Sequence, residues 1–298
     1  MRCLLILAGA LVSSSFAPST SLACASCGSG GDDPLILYPN QDWRFYLAAS
    51  RSFGFKTVKS DGKLGEENAP TFKDAFTMAV GKAMTPTSFV TLTVPYLQNW
   101  KDGTYKRAYG DPIIATRWTL VTQDISDPRI PQVQWMASHR FAQARAQQEG
   151  THPNRLDVFG SGVPESKLGL DLFQGMTDFK MGAAFSLLFP GERQIEGQAN
   201  YPGLGSRSVL TVGYGKTQLG KILLGITRDT RQNRKTNGVE VKGSRVIENG
   251  FFITTDAEIT DSQMLRFTWS HKSSFWDSRN GSRNHAVTLA WLYGISHE

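Results

Sequence analysis

Few residues in this chain are spaced in a way that could do covalent chemistry. His271 and Ser273 stand two apart, so on an extended strand their side chains share one face, and an imidazole beside a hydroxyl is the raw material of a base and a nucleophile. The same two residues also read as ordinary polar groups at a loop edge. Cys24 and Cys27 form a Cys-x-x-Cys pair in a Gly/Ser/Asp-rich stretch. In an oxidising compartment that spacing suits a small disulfide, and it also suits redox or metal traffic. Covalent haem attachment would need histidine after the second cysteine, where this chain has Gly28. His139, His152, His271, His285 and His297 include no pair at ligand spacing on one helix, and Asp32-Asp33 near the cysteines reads as a solvated linker. No metal and no cofactor is therefore expected.

The elements that must carry these residues begin with an export signal. Met1-Arg2-Cys3 is followed by an apolar run from Leu4 to Val12, and Ser21-Leu22-Ala23 is a small-x-Ala cleavage pattern. The expected division is a signal peptide over 1–23, a periplasmic segment with the cysteine pair over 24–41, and a membrane domain over 42–298. Cleavage after Ala23 would leave Cys24 first, which also allows a lipid anchor, although Ser21 stands where such signals usually carry Leu. No later segment offers the ~20 apolar residues of a spanning helix. A membrane domain made by this chain must be a closed barrel. The chain is 40% hydrophobic with a formal charge of +6. It has no basic stretch interleaved with aromatics and no nucleic-acid motif, so nucleic acid is not an expected partner. A basic exported barrel would instead attract anions or the phosphates of lipopolysaccharide.

Hydrophobic residues recur with period two. Phe179, Met181, Ala183, Phe185, Leu187 and Phe189 fall on one face, against Lys180, Gly182, Ala184 and Ser186 on the other. The pattern returns at Trp43–Phe55, with Arg51 the exception on the apolar face, then at Phe72–Val80, Val90–Tyr96, Ile114–Leu120, Leu168–Leu172, Leu210–Tyr214, Ile222–Ile226, Phe251–Ile253, Leu265–Trp269 and Val287–Ile295. Val133 to Arg145 reads as a strand or as a short helix. With it the number of strands is about twelve.

A soluble sandwich also alternates, so the connections decide. They run long and short in turn: long at 57–70, 98–110, 147–165, 190–205, 229–242 and 272–283, and short at 83–87, 124–130, 175–178, 216–218 and 256–258. That series predicts an all-β fold, an up-and-down antiparallel transmembrane β-barrel with short periplasmic turns and long extracellular loops. Trp43, Tyr96, Trp118, Tyr214, Trp269 and Tyr293 fall near strand ends, as interfacial girdles do. Trp291-Leu292-Tyr293-Gly294-Ile295 resembles the aromatic terminal strand by which outer-membrane proteins are handed to the β-barrel assembly machinery.

Gly110-Asp111-Pro112 leading into Ile113–Trp118, and Phe159-Gly160-Ser161-Gly162 before Leu168-Gly169-Leu170, resemble signatures of transporter-like, porin-like outer-membrane barrels associated with phenol degradation. The resemblance implies a channel for small solutes, apolar or aromatic ones included. Cys24-Ala25-Ser26-Cys27 is similar to the terminal pair of porins that sheath electron-transfer cytochromes, which implies a structural or electron-transfer scaffold. His271-Lys272-Ser273 resembles the His-x-Ser of outer-membrane phospholipase, a lipid-acting hydrolase. That likeness implies His271 as base and Ser273 as nucleophile, with Asn280 or Asn284 orienting the imidazole.

Parity selects Asp111, Arg117, Lys167, Asp171, Lys180, Arg228 and Arg266 as lumen groups that set selectivity, since charges there escape hydrocarbon. They would either line a conducting pore or pair with one another and plug it. The expectation is a monomeric outer-membrane channel in contact with membrane lipids, lipopolysaccharide and a small-molecule solute, with no catalytic residue required.

Overall fold

The computed structural model describes residues 41–65, 70–123, 130–145, 149–175, 178–195, 197–215 and 221–296. The expected signal peptide over 1–23, Cys24, Cys27, Asp32, Asp33 and His297 lie outside them.

Twelve strands run antiparallel around a closed barrel: β1 (Gln41–Val58), β2 (Phe72–Thr85), β3 (Ser88–Lys101), β4 (Ile113–Val121), β5 (Gln132–Arg140), β6 (Glu165–Gly175), β7 (Phe179–Pro190), β8 (Gly205–Tyr214), β9 (Lys221–Arg231), β10 (Val246–Thr260), β11 (Gln263–Ser273) and β12 (Ser282–Ser296). Each pairs with its neighbours in sequence, and β1 pairs with β12 from Gln41↔Ser296 to Thr57↔Ser282, so no edge is left open. Both ends of the barrel chain therefore sit at the short-turn end.

The alternation read from the sequence is the alternation of the wall. Phe45, Leu47, Phe76, Leu92, Leu170, Phe185, Leu210, Leu224, Phe267 and Leu289 all project outward and are exposed. Each such side chain left in water forgoes ~1.5–3 kcal/mol of burial, and here they form a continuous band. Lipid is the medium that covers it. Aromatic pairs close the band at the short-turn end: Trp118 with Trp135 (4.6 Å), Phe179 with Tyr214 (6.2 Å), and Trp43 beneath the Lys82 ammonium (5.0 Å). That pairing suits the headgroup level, where a ring is half wet and a lysine reaches for water. Arg51, the exception on the apolar face, is neutralised in register: it lies opposite Asp74 and holds it with two hydrogen bonds of 2.7 and 2.8 Å.

Gln132–Arg140 is a strand, which settles the segment that could have been helical. Two connections differ from expectation. Residues 256–258 were expected to turn, but β10 continues to Thr260 and the turn lies at Asp261–Ser262. The acid that resembled a turn signal, Asp256, instead faces inward. Residues 98–110 are not simply a loop. β3 runs to Lys101, Asp102 and Gly103 take positive φ (49° and 76°), and Thr104–Tyr109 pairs back along β3. Two consecutive left-handed residues are what a tight hairpin turn requires, and Asp-Gly supplies them. Asn237-Gly238 makes the same kind of turn (50° and 77°) between Lys235–Thr236 and Val239–Glu240. That hairpin joins Arg193–Ile195 and Gln198–Tyr201 in a small four-stranded loop sheet.

Candidate functional site

The inner wall is built in two layers. Midway along the barrel, Arg117 on β4 reaches across β5 to Asp171 on β6 at 2.5 Å, and both side chains are almost wholly buried. Between β10 and β11, Arg266 binds Asp256 through two bonds of 2.7 and 2.8 Å. Tyr46, Ala48, Ala79, Met264, Ala290 and Leu292 pack beside that pair as an apolar lining. Phe252 lies flat on β9 because Gly225 has no side chain: a Cβ there would meet the ring at 2.1 Å. The ring packs against Ala184, Val209 and Leu223, so this layer is filled.

Toward the long loops the lumen opens into a cavity of about 420 Å³ whose walls are charged. Glu165 receives Arg231 at 2.5 Å and Arg140 at 3.8 Å, Arg207 faces Asp229 at 3.3 Å, and Lys272 holds Glu248 at 2.7 Å. Apart from the buried Glu165 these groups are partly exposed, and Phe252 lies at the cavity wall.

Residues 141–145 and 149–164 of the connection fold against the inside of the mouth and are fixed there. Asp111 accepts the N–H groups of Gln143 (3.0 Å), Ala144 (2.9 Å) and Ser161 (2.7 Å), together with the Ser161 hydroxyl. Asn99, inward on β3, donates to the Leu156 and Val158 carbonyls at 2.9 and 3.0 Å. Within the loop, burial pushes the Asp157 carboxyl up, but the Thr151 N–H, the Arg145 guanidinium and the Thr151 hydroxyl outweigh it and hold the group well below the usual carboxylate range. Arg193 from the next long loop ties this one down through Glu149 (2.6 Å) and the Gly162 carbonyl (3.4 Å).

Five of the seven charges selected from sequence, Arg117, Lys167, Asp171, Lys180 and Arg266, lie on the inner face. Asp111 precedes β4, and its carboxylate is occupied by backbone donors of the mouth loop. Arg228 is a correction. It continues the parity of Ile222, Leu224 and Ile226 and is exposed on the outer wall. The inward groups of β9 are Thr227, Asp229 and Arg231.

His271 and Ser273 do not form the arrangement that hydrolysis would need. The His271 ring lies 4.3 Å from His285, directly opposite on β12, and its Nδ1 is buried without a hydrogen-bond partner. Ser273 Oγ donates 3.5 Å to the Asn249 carbonyl and is buried. Neither asparagine side chain orients the imidazole, although the Asn284 backbone hydrogen-bonds the ring. Asn280 donates to the Gly243 and Arg245 carbonyls, and Asn284 lines the lumen on the opposite face of the wall.

The groups missed in the sequence are Arg140, Glu165, Arg207, Asp229, Arg231, Glu248, Asp256 and Lys272. Most sit near the long-loop ends of strands, where both faces are polar and alternation fades. The signal that could have found them is cross-strand complementarity, as in Arg207↔Asp229 and Asp256↔Arg266.

No protein-family model and no curated protein matches the chain. Solved structures match its backbone. The COG4313 outer membrane channel from Pseudomonas putida F1 superposes with a TM-score of 0.71 over 94% of this chain and 100% of that one, at 8% identity. The NanC porin superposes with a TM-score of 0.51 over 84% of this chain and 100% of that one, at 9% identity. At such identities the likeness is one of fold.

Proposed function

We propose that this protein is an outer-membrane channel through which small solutes pass passively, with the charged cavity at the long-loop end as its selective vestibule. The observation that carries this reading is the division of the wall: a lipid-facing apolar band outside, and inside a cavity of about 420 Å³ lined by ionic side chains. Fixed charges of both signs around a confined space make a local field to which a permeant molecule responds. The fold shared with two outer-membrane channels supports the reading, as does the export signal. Small apolar or aromatic solutes are part of this proposal. Phe252 at the cavity wall gives such a solute a ring to slide past, while the surrounding charges favour one with a polar end.

Reconstitution in planar bilayers tests it. Discrete conductance steps are expected, with an ion selectivity that changes when Arg207 or Arg231 is reversed to glutamate. Bilayers that stay silent, with refolded barrel shown to be inserted, would sink the channel reading. The burial of Ser273 and the hydrogen bond of its hydroxyl to the Asn249 carbonyl count against the lipid-acting hydrolase. Phospholipid release abolished by Ser273→Ala is the outcome that would restore it.

A further inference from the structure

Arg51 and Arg228 both face outward, and they are handled differently. Arg51 is cancelled by Asp74, its register partner. Arg228 stands opposite Ser208 on one side and Asn249 on the other, neither of them an acid, and has no ion pair among the described residues. A cation on a membrane-facing wall without a counter-charge in its own chain is costly near mid-bilayer and cheap only at the headgroup level.

Two residues further along β9, Thr230 lines a groove of about 740 Å³ on the outside of the barrel. Phe185, Leu187 and Leu204 form its apolar side, continuous with the lipid-facing band, and all three are exposed. The loop sheet forms its other side with Lys235, Arg245 and Glu240. Glu240 lies opposite Lys235 in register but accepts the Asn233 amide at 2.6 Å, and neither Lys235 nor Arg245 makes an ion pair within 4 Å among the described residues. The groove thus offers alkyl-sized apolar surface at its base, with Lys235 and Arg245 lining it and Arg228 exposed two residues before Thr230 on the same outer face of β9.

We propose that the groove binds lipopolysaccharide, with an acyl chain against Phe185, Leu187 and Leu204 and a lipid A phosphate between Lys235, Arg245 and Arg228. The assignment rests on the outer-membrane reading above, which places the long loops at the outer leaflet, where the anionic amphiphile is lipid A. Charge complementarity selects this occupant. An apolar solute has no use for three cations, and a simple anion has none for the apolar wall.

The test uses the refolded barrel in detergent, with native mass spectrometry reading bound diphosphoryl lipid A, dephosphorylated lipid A or inorganic phosphate. Diphosphoryl lipid A is expected to bind the wild type, and to bind K235E/R245E and R228E more weakly, the double variant by at least about tenfold, since a cation near an anionic surface is worth ~1 kcal/mol and reversal doubles it. The variants touch exposed side chains, and their heat-modifiable migration on gels verifies folding. Equal binding of diphosphoryl lipid A by wild type and variants would overturn the site, and so would equal binding of the dephosphorylated lipid. Inorganic phosphate that binds as tightly as lipid A would overturn the lipid assignment in favour of a plain anion site. Conductance recorded on the same variants keeps the two readings apart. Normal channels with charge-independent lipid binding remove only the site, and silent bilayers with phosphate-dependent lipid binding remove only the channel.

Discussion

The two layers of the lumen use the same chemistry to opposite ends. In the middle of the barrel, Arg117 and Asp171 are 1% and 2% exposed and touch each other. At the long-loop end, Arg207 and Asp229 are 18% and 29% exposed and meet at 3.3 Å around open space. A buried pair is held together because either partner alone would be an uncompensated charge in a poorly solvated place. A half-exposed pair gains little from its contact, because water and salt screen it. The inner layer therefore contributes to whether the barrel stands, and under the proposed channel function the outer layer would set what it admits.

The largest effect expected from breaking that contrast is Arg117→Ala, which removes the guanidinium held 2.5 Å from the buried Asp171 carboxylate and should cost ~3–5 kcal/mol in urea unfolding of the folded barrel. Replacing both partners, as in R117M/D171L, should recover most of that loss or all of it. If the single and double variants unfold alike, the pair is not what matters at this level. Next comes Gly225→Val. The new side chain would collide with Phe252, whose ring would have to leave the wall, at ~1–3 kcal/mol of overpacking. The displaced ring would also enter the lumen, so single-channel conductance should fall. Unchanged conductance with lowered stability would mean that the ring yields in some other direction.

Smaller still in stability, and larger in function, is Arg207→Glu. Exposed pairs rarely contribute more than ~1 kcal/mol, so the unfolding midpoint should scarcely move. The zero-current potential across a salt gradient should shift toward cation preference, because a positive group of the vestibule becomes negative beside Asp229. A midpoint that drops by several kcal/mol with selectivity intact would reverse the roles assigned to the two layers.

The same division explains what the sequence makes legible. Strand parity was visible wherever lipid imposes it: Phe179–Phe189 could be assigned face by face, and Arg117, Asp171 and Arg266 followed as inward groups. Past the bilayer that constraint ends. Residues such as Arg207, Asp229 and Arg231 continue their strands with polar groups on both faces, so nothing in their alternation distinguishes strand from loop. Arg228, grouped by parity with the lumen charges, stands two residues from Ile226 and shares its outward face. A charge suggests water, but a two-residue step fixes the face, and the step decides. Asp256 was mistaken for a turn for a related reason. Only its partner Arg266, ten residues away across a hairpin, identifies it as a lumen residue.

The mouth loop gives the smallest effect, confined to one connection. Asp157 is held as a carboxylate by the Thr151 N–H and hydroxyl and by Arg145, so its acidity in the folded protein exceeds that of the unfolded chain. A carboxyl with a depressed pKa contributes order that is complete above its ordinary range, ~4, and is lost as pH falls from there through the folded value. Above pH ~5 the 141–164 loop should resist proteolysis, and protection should weaken progressively in more acid solution, while the barrel itself stays folded. Asp157→Asn should make the loop cleavable already at neutral pH and flatten that pH dependence, because the amide cannot gain or lose the charge on which Arg145 and Thr151 converge. Protection equal to wild type across the acid range would shift the fastening of the mouth to Asp111 and Asn99, which grip the loop from the barrel side.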